Sequence, residues 1–490
     1  MTLTSRFQLD SNPDSAGQAS ASADADYDFT TEAAPLAEAD WFSGNGTVAR
    51  EKAQRAEDAA REKAQHAEEP RDPGAYCPRK PHSIEEAGLS QELVEQLICK
   101  FLLTRGGSTG RRIAHQIGLP FRTLEALLAR LKNEMLVAYR KTAAAGDYEY
   151  MLTDTGNERA RRYMASCTYA DAAPVQLEDY IASVAAQTLS RHRISVEHLN
   201  EAFFDLQMSG KLLDCLGPAI NAGKGMFLYG APGNGKTTIA ERVIRCFGSD
   251  IWIPRTIIID GHLFRLFDPV IHQESGVPES SIMGEALEDA RWIRVKRPTV
   301  VVGGELTMDQ FEMRHDPQSN TSEAPIQMKS NCGVLLIDDF GRQRMPIDVL
   351  LNRWIVPLEK RYDFQKLPSG KKIQVPFEQL VIFSTNLEPR ELVDEAFLRR
   401  IPYKIHVADP TPEQFRSIFE SAAPMLGLPA SPDAFERLVE QYKTTGRPMR
   451  ACHPRDLMLQ ARSYCMYHKL PVELTEESLT FALENYFAVL

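Results

Sequence analysis

Two short stretches of the chain carry side chains that could bind a triphosphate. In the first, an apolar run over 226–229 leads into Gly230-Ala-Pro-Gly-Asn-Gly-Lys-Thr-Thr238, and a helical pattern follows. Glycines let the backbone wrap around phosphates, because a Cβ would block that approach. Successive N–H groups and the helix N-terminus would then point at the anion. The pattern predicts a phosphate-binding loop formed by Gly230, Ala231, Pro232, Gly233, Asn234, Gly235, Lys236, Thr237 and Thr238.

The second stretch supplies carboxylates for a metal ion. Four apolar residues, 334–337, precede Asp338 and Asp339, and they predict a central parallel strand with both faces covered. Ligands of such sheets bind at the carboxyl ends of the strands. We therefore expect ATP with Mg²⁺: Lys236 contacts the β- and γ-phosphates, while Thr237 and Asp338 hold the metal. Asp339 is the expected base or water-positioning group.

Composition and charge limit the class of protein. The 490 residues are 43% hydrophobic and 25% charged, which suits about three globular domains. The net charge of −11 excludes nucleic-acid binding by bulk charge, so any DNA contact needs a local basic patch. The eight cysteines include no Cys-x-x-Cys pair, which argues against a zinc ribbon or a disulfide framework. Without a long apolar run or a secretion signal, we expect a cytoplasmic protein with no membrane contact.

Residues 1–85 have the composition of a disordered tail that is acidic and rich in alanine. The first 40 residues contain eight acidic residues and one Arg, and have too little apolar mass to offset the entropy of ordering. The sequence at 49–57 recurs at 60–68 with small changes. Alanine is its only apolar residue, which favours a solvated helix or spacer.

Residues 86–165 predict three helices and a hairpin, which resembles a winged helix-turn-helix domain. Between Arg105 and Lys141, eight Lys and Arg stand against two Glu, a local charge of +6 that favours phosphate contact. Among the outward positions of the third helix, only Arg122, Arg130 and Asn133 could read base edges. DNA binding and a protein-interaction or structural role both remain open for this module. A linker helix is expected over 166–194.

Residues 195–410 predict a nucleotide-binding core, and 411–490 predict a helical lid. Strand candidates alternate with helices, which favours a parallel sheet; they are Thr256–Ile259, Val334–Ile337, Leu380–Ser384 and Lys404–Val407. The stretch 297–304 is interpreted as a hairpin arm. Four further residues are either an apolar adenine pocket or ordinary core, namely Leu213, Leu216, Pro218 and Ile220. In the lid, Thr411 and Thr475 are predicted helix starts.

Together, these motifs resemble the ordered landmarks of the AAA+ ATPase superfamily over about 195–490. The resemblance implies an α/β fold: a parallel five-stranded P-loop sheet with an α-helical lid, preceded here by the winged-helix module and the tail. It implies that Asn386 is the first sensor and Arg455 the second. Arg399 or Arg400 would be the arginine finger that reaches the nucleotide of a neighbouring subunit. Asp339 departs from the usual Glu; DnaA-type initiators and helicase loaders resemble this ending, and the hydrolysis rate stays open.

The layout after residue 296, with a helix over 350–361 and a basic hairpin to 377, resembles the helix-two-insert group and a bacterial group near the MoxR type. That resemblance implies pore-facing segments at 262–267 and 303–315, with ordinary strands and loops as the alternative. The favoured function is an ATP hydrolase in a homo-oligomeric ring, expected to be hexameric, that remodels a protein partner. A DNA-bound regulator or loader is the second hypothesis. A nucleotide-locked interaction protein with little turnover is the third.

Overall fold

The computed structural model describes residues 76–248, 250–276, 288–429 and 432–488, which belong to one compact unit spanning Gly74–Leu490. The predicted tail lies outside the described residues up to residue 75. Residues 76–85, which the sequence analysis includes in the tail, are packed: Ile84 is buried, and the backbone N–H of Asp289 donates to the Pro78 carbonyl. No helix in these ranges has the length and apolar character needed to cross a bilayer.

Three helices, a small antiparallel sheet and a fourth helix form the N-terminal module. The predicted inward face of its third helix is buried at Leu124, Leu127, Leu128 and Leu131. Gly118 adopts φ 75° and ends the second helix, as its left-handed conformation allows. The winged-helix assignment itself stays a prediction. The elements are α1 Gln91–Arg105, β1 Ser108–Thr109, α2 Gly110–Ile117, α3 Phe121–Asn133, β2 Val137–Thr142, β3 Tyr148–Leu152 and α4 Asp154–Ser166.

The middle of the chain contributes strands to three sheets before it reaches the predicted metal-binding carboxylates. Its helices are α5 Leu177–Gln187, α6 Val196–Ala202, α7 Gly210–Ala222, α8 Lys236–Val243 and α9 Ile326–Lys329. Its strands are β4 Val175–Gln176, β5 Met226–Tyr229, β6 Ile251–Pro254, β7 Thr256–Ile259, β8 His262–Arg265, β9 Trp292–Val295, β10 Thr299–Val302, β11 Arg314–Asp316 and β12 Thr321–Glu323.

The remaining elements complete the core and build the lid. The strands are β13 Val334–Ile337, β14 Tyr362–Lys366, β15 Lys372–Pro376, β16 Leu380–Thr385 and β17 Tyr403–His406. The core helices are α10 Ile347–Lys360, α11 Pro389–Leu392 and α12 Glu395–Leu398. The lid consists of α13 Pro412–Met425, α14 Pro432–Thr445, α15 His453–His468 and α16 Glu476–Phe487. The predicted starts at Thr411 and Thr475 are confirmed, since both residues form capping boxes.

A five-stranded sheet with the order β10-β13-β16-β5-β17 forms the core, and every neighbouring pair in it is parallel. The four residues of β13 are fully buried because helices cover both faces of the sheet. One prediction is wrong here: β7, at 256–259, does not belong to this sheet. The edge position is occupied by β10, which the sequence analysis interpreted as part of a hairpin arm. An apolar run predicts a strand but not the sheet that it joins.

A second five-stranded sheet has the order β11-β12-β8-β7-β4 and mixes parallel with antiparallel pairs. Strand β8 lies in its middle, where Leu263 and Phe264 are buried. The predicted pore-facing role of 262–267 is therefore wrong for these side chains, which pack inside the protein. The stretch 166–194 contributes the edge strand β4 as well as α5, whose Tyr180 is 1% exposed and donates a hydrogen bond to the Met328 carbonyl.

Candidate functional site

The loop after β5 has the glycine conformations that close contact with phosphates requires. Gly230 has φ 142°, and a Cβ there would lie 2.4 Å from the carbonyl oxygen of Val407. Gly233 has φ 83°, and its Cβ would lie 2.6 Å from Cys452 Sγ. An L side chain is excluded at both positions by conformation and by space. The loop leads directly into α8, whose N-terminal N–H groups face the turn.

Lys236, the first residue of α8, is 7% exposed and holds its ammonium group within the loop. Its Nζ donates to the carbonyls of Gly230 and Ala231, both at 3.0 Å, and to Asn386 Oδ1 at 2.6 Å. Burial lowers the pKa of Lys236, while Asp338 and Asp339 act in the opposite direction. The structure thus brings Lys236 and Asn386, which are 150 residues apart, into direct contact.

The two aspartates follow β13 directly and lie beside the start of α8. Thr237 Oγ1 donates to Asp338 Oδ2 at 2.8 Å, and the N–H of Asp339 donates to Asp338 Oδ1 at 3.1 Å. Asn386 Nδ2 donates to Asp339 Oδ1 at 3.4 Å. Asp339 has φ 48°, a left-handed conformation that is uncommon outside glycine and recurs at functional sites. Five of the predicted residues therefore form one hydrogen-bonded cluster at the carboxyl ends of neighbouring strands.

The oxygen atoms of this cluster suit a small hard cation that also binds phosphate. Thr237 Oγ1 and Asp338 Oδ2 are within hydrogen-bond distance, so one ion could contact both. Mg²⁺ in phosphate sites takes one or two protein ligands and completes its shell with phosphate oxygens and water. In the described ranges, no group of three or more His, Cys, Asp or Glu could form a metal site from protein alone. The donor set therefore fits Mg²⁺ that arrives with a nucleotide.

The lid contacts the phosphate-binding loop at Cys452 and lies beside it at Arg450, and neither residue was predicted from the sequence to belong to the site. The N–H of Cys452 donates to the Gly233 carbonyl at 2.9 Å, and the preceding Arg450 forms an ion pair with Asp409. Arg455, the predicted second sensor, lies in the first turn of α15 with a side chain 70% exposed, and its ion pair is with Asp456 at 3.6 Å. Arg450 and Arg455 both lie in the short segment 450–457. Arg450 lies before α15, next to the residues that contact the loop, whereas Arg455 lies inside the helix.

The two candidates for the arginine finger differ in their surroundings. Arg400 Nε lies 3.5 Å from a Glu359 oxygen, and its guanidinium donates to the Ala396 carbonyl at 2.9 Å. Arg399 is exposed just after α12, and no ion pair involves it within the part of the chain that the structure describes. Arg399 is thus the better placed of the two to contact another molecule.

A cleft of about 360 Å³ adjoins the loop between the segment before α7, the end of β17 and the lid. None of the four residues predicted as either an adenine pocket or ordinary core lines it, and the core alternative is confirmed for Leu216 and Ile220, which are buried. Helix α7 turns these two residues toward the sheet and presents its first turn to the cleft. The large apolar side chains of its lining are Met208, Leu212, Ile239, Ile405, Val407 and Ile418.

Comparison with known proteins adds little about the site. Residues 411–485, which include most of the lid, match a domain of unknown function, DUF8689. No curated protein matches the sequence. Among solved structures, the chain is similar to the RuvB Holliday junction branch migration motor of Thermotoga maritima, with 14% identity, a TM-score of 0.33, and coverage of 61% of this chain and 73% of the other. It is also similar to NtrX from Brucella abortus, with 13% identity, a TM-score of 0.29, and coverage of 54% and 49%.

Proposed function

We propose that the chain is an AAA+ ATPase that binds and hydrolyses Mg-ATP at the loop before α8. The observation that carries this proposal is the contact of Thr237 with Asp338 beside the buried ammonium group of Lys236. The loop N–H groups and Lys236 hold the β- and γ-phosphates, and Thr237 with Asp338 would hold Mg²⁺. The metal, when bound, neutralises charge on the transferring phosphoryl group. The Asp339 carboxylate and the Asn386 amide, which are hydrogen-bonded to each other, orient the attacking water.

The cleft beside the loop is the proposed site of the adenine base. Its apolar walls cover the faces of a planar ring, while Asn234 and Asp409 line the end nearest the phosphates.

A ring of identical subunits completes the proposal. Arg399 is proposed as the finger that a neighbouring subunit supplies, since its guanidinium has no acidic partner among the described residues. Remodelling of a protein partner is the proposed use of the hydrolysis energy. A hexamer is the expected assembly.

The test compares nucleotide binding and turnover in matched variants. Lys236→Ala should abolish ATP binding, and Asp339→Asn should retain binding but lose turnover by at least about a hundredfold, the usual effect of removing a positioned catalytic group. Lys224→Ala is the control. Lys224 is exposed and precedes β5, the strand that leads into the loop, so this variant should bind and hydrolyse ATP like the wild type. Equal binding by Lys236→Ala and wild type would disprove the site. Tight binding with no turnover in the wild type would instead support the nucleotide-locked alternative.

DNA binding by the N-terminal module is the second candidate function. Arg111, Arg112, Arg122 and Lys132 are exposed and have no ion pair in the described ranges, which favours it. Arg130, however, is engaged by Glu95 at 3.0 Å and is therefore not available to read bases. A duplex shift by the full chain that weakens with salt, and that is lost in Arg122→Glu, would support this function. A shift that Arg122→Glu leaves unchanged would exclude the module as its source.

A further inference from the structure

Asp409 joins three parts of the protein at a single carboxylate oxygen. It lies after β17 and just before the lid, and its Oδ1 accepts a hydrogen bond from Asn234 Nδ2 of the loop at 2.7 Å. The same oxygen accepts from the guanidinium of Arg450 in the lid. The backbone N–H of Ala451 donates back to Asn234 Oδ1 at 3.3 Å. The phosphate loop, the end of the core sheet and the lid therefore meet in one polar junction.

Residues in and beside the junction line two clefts. Asn234, Asp409 and Ala451 line the proposed adenine cleft of about 360 Å³. Gly233 and Arg450 line a second cleft of about 560 Å³. A change in the junction would therefore affect both the proposed seat of the base and the position of Arg450 beside the loop.

We propose that Asp409 is a positioning residue that holds Arg450 against the phosphate loop and makes the site prefer ATP over ADP. This inference rests on the proposed function. A guanidinium carries five N–H donors, so Arg450 can keep its bond to Asp409 and still donate to a γ-phosphate. A long side chain that is fixed in advance does not lose its rotamer freedom when the nucleotide binds. Asp409 thus contributes to ATP affinity without contacting the nucleotide itself.

The first test needs no nucleotide and uses Cys452 as a reporter of contact between lid and loop. Cys452 is held against Gly233 by its backbone hydrogen bond, and its thiol is half-buried. In Asp409→Ala we expect Cys452, followed by peptide mass spectrometry, to be alkylated by iodoacetamide at least about threefold faster than in wild type. Cys465, which is 1% exposed inside the lid, should stay slow and so show that the lid is folded. Glu436→Ala, an exposed acidic residue of the same lid, is the matched control.

The second test compares the affinities for ATP and ADP in Asp409→Ala, Arg450→Ala and the double variant. Each single change should weaken ATP binding about tenfold, the loss of one charge-assisted hydrogen bond, while ADP binding changes little. The double variant should be no weaker than Arg450→Ala, because the two residues act in series. Additive losses, an unchanged ATP-to-ADP ratio, or tighter ATP binding in Asp409→Ala would each overturn the proposal.

The two tests separate this inference from the proposed function. If the wild type binds neither nucleotide, the ATPase proposal fails, and an unchanged Cys452 alkylation rate in Asp409→Ala would show that Asp409 does not hold the lid either. If Cys465 also reacts rapidly in Asp409→Ala, the variant has lost its fold. Asp409→Asn then serves in both assays, because it keeps the acceptor for Asn234 and removes only the charge opposite Arg450. Asp409→Asn should lose less ATP affinity than Asp409→Ala. Wild-type ATP affinity and a wild-type rate of Cys452 alkylation in Asp409→Asn would overturn the proposal.

Discussion

His453 should make the lid sensitive to acid. It is 8% exposed at the start of α15, and its Nδ1 lies 2.6 Å from the Tyr442 hydroxyl and 3.3 Å from the backbone N–H of Arg450. The Arg450 N–H can only donate, so Nδ1 is the unprotonated nitrogen that accepts. Protonation of Nδ1 would turn this acceptor into a donor and break the bond. Burial, followed by the charge of Arg450, lowers the pKa of His453 from 6.5 to about 4.

The sign and size of the effect follow from this shift. Between pH 4 and 6.5 the unfolded lid binds a proton that the folded lid does not, so acid favours unfolding. The stability that the neutral imidazole contributes is complete above pH 6.5 and is lost progressively as the pH falls to about 4. From pH 7 to pH 5 we expect the free energy of lid opening to fall by about 2 kcal/mol.

Hydrogen exchange of the α15 amides, corrected for the intrinsic exchange rate, measures this free energy at the two pH values. In His453→Asn, an amide oxygen can accept the same hydrogen bond but does not titrate, so the pH dependence should largely disappear. His468→Asn changes an exposed histidine of the same helix and should leave the dependence intact. The reasoning is refuted if wild type and His453→Asn lose the same free energy of opening between pH 7 and pH 5.

Three further substitutions test other contacts. Gly233→Ala should weaken ATP binding at least tenfold, because the added Cβ would lie 2.6 Å from Cys452 Sγ. Gly446 also has a positive φ but has open space around it, so Gly446→Ala should bind ATP normally. Glu95→Gln should lower the free energy of unfolding by about 2 kcal/mol in urea titrations, because the buried carboxylate loses its charge-assisted contacts with two arginines, whose side chains are 39% and 44% exposed and stay solvated. Arg353→Met should cost about 3–5 kcal/mol in the same assay by leaving the buried Asp363 unpaired, and a loss below 1 kcal/mol would contradict that account.

The chemistry of the site was easier to predict from the sequence than the architecture around it. The contact of Thr237 with Asp338 joins residues 101 positions apart, yet both lie in short motifs whose strand context implies one sheet edge. Strand β10 was misassigned because an apolar run of four residues carries no information about its partner strand. The contacts of Arg450 were missed for a different reason: its ion pair with Asp409 and the bond from Ala451 to Asn234 join residues far apart in the chain, and no short motif announces them.

The second sheet has a practical consequence for anyone dividing this protein. Strand β4 and Tyr169 precede the nucleotide-binding segment in the chain, but β4 pairs with β7 and the Tyr169 hydroxyl donates to Thr256 at 2.9 Å. A truncation that begins at residue 195 would therefore remove the edge strand β4 and leave the backbone of β7 unpaired. An unpaired edge strand promotes edge-to-edge aggregation. Fragments for expression should begin before residue 76, so that β4 stays paired with β7 at the edge of the sheet.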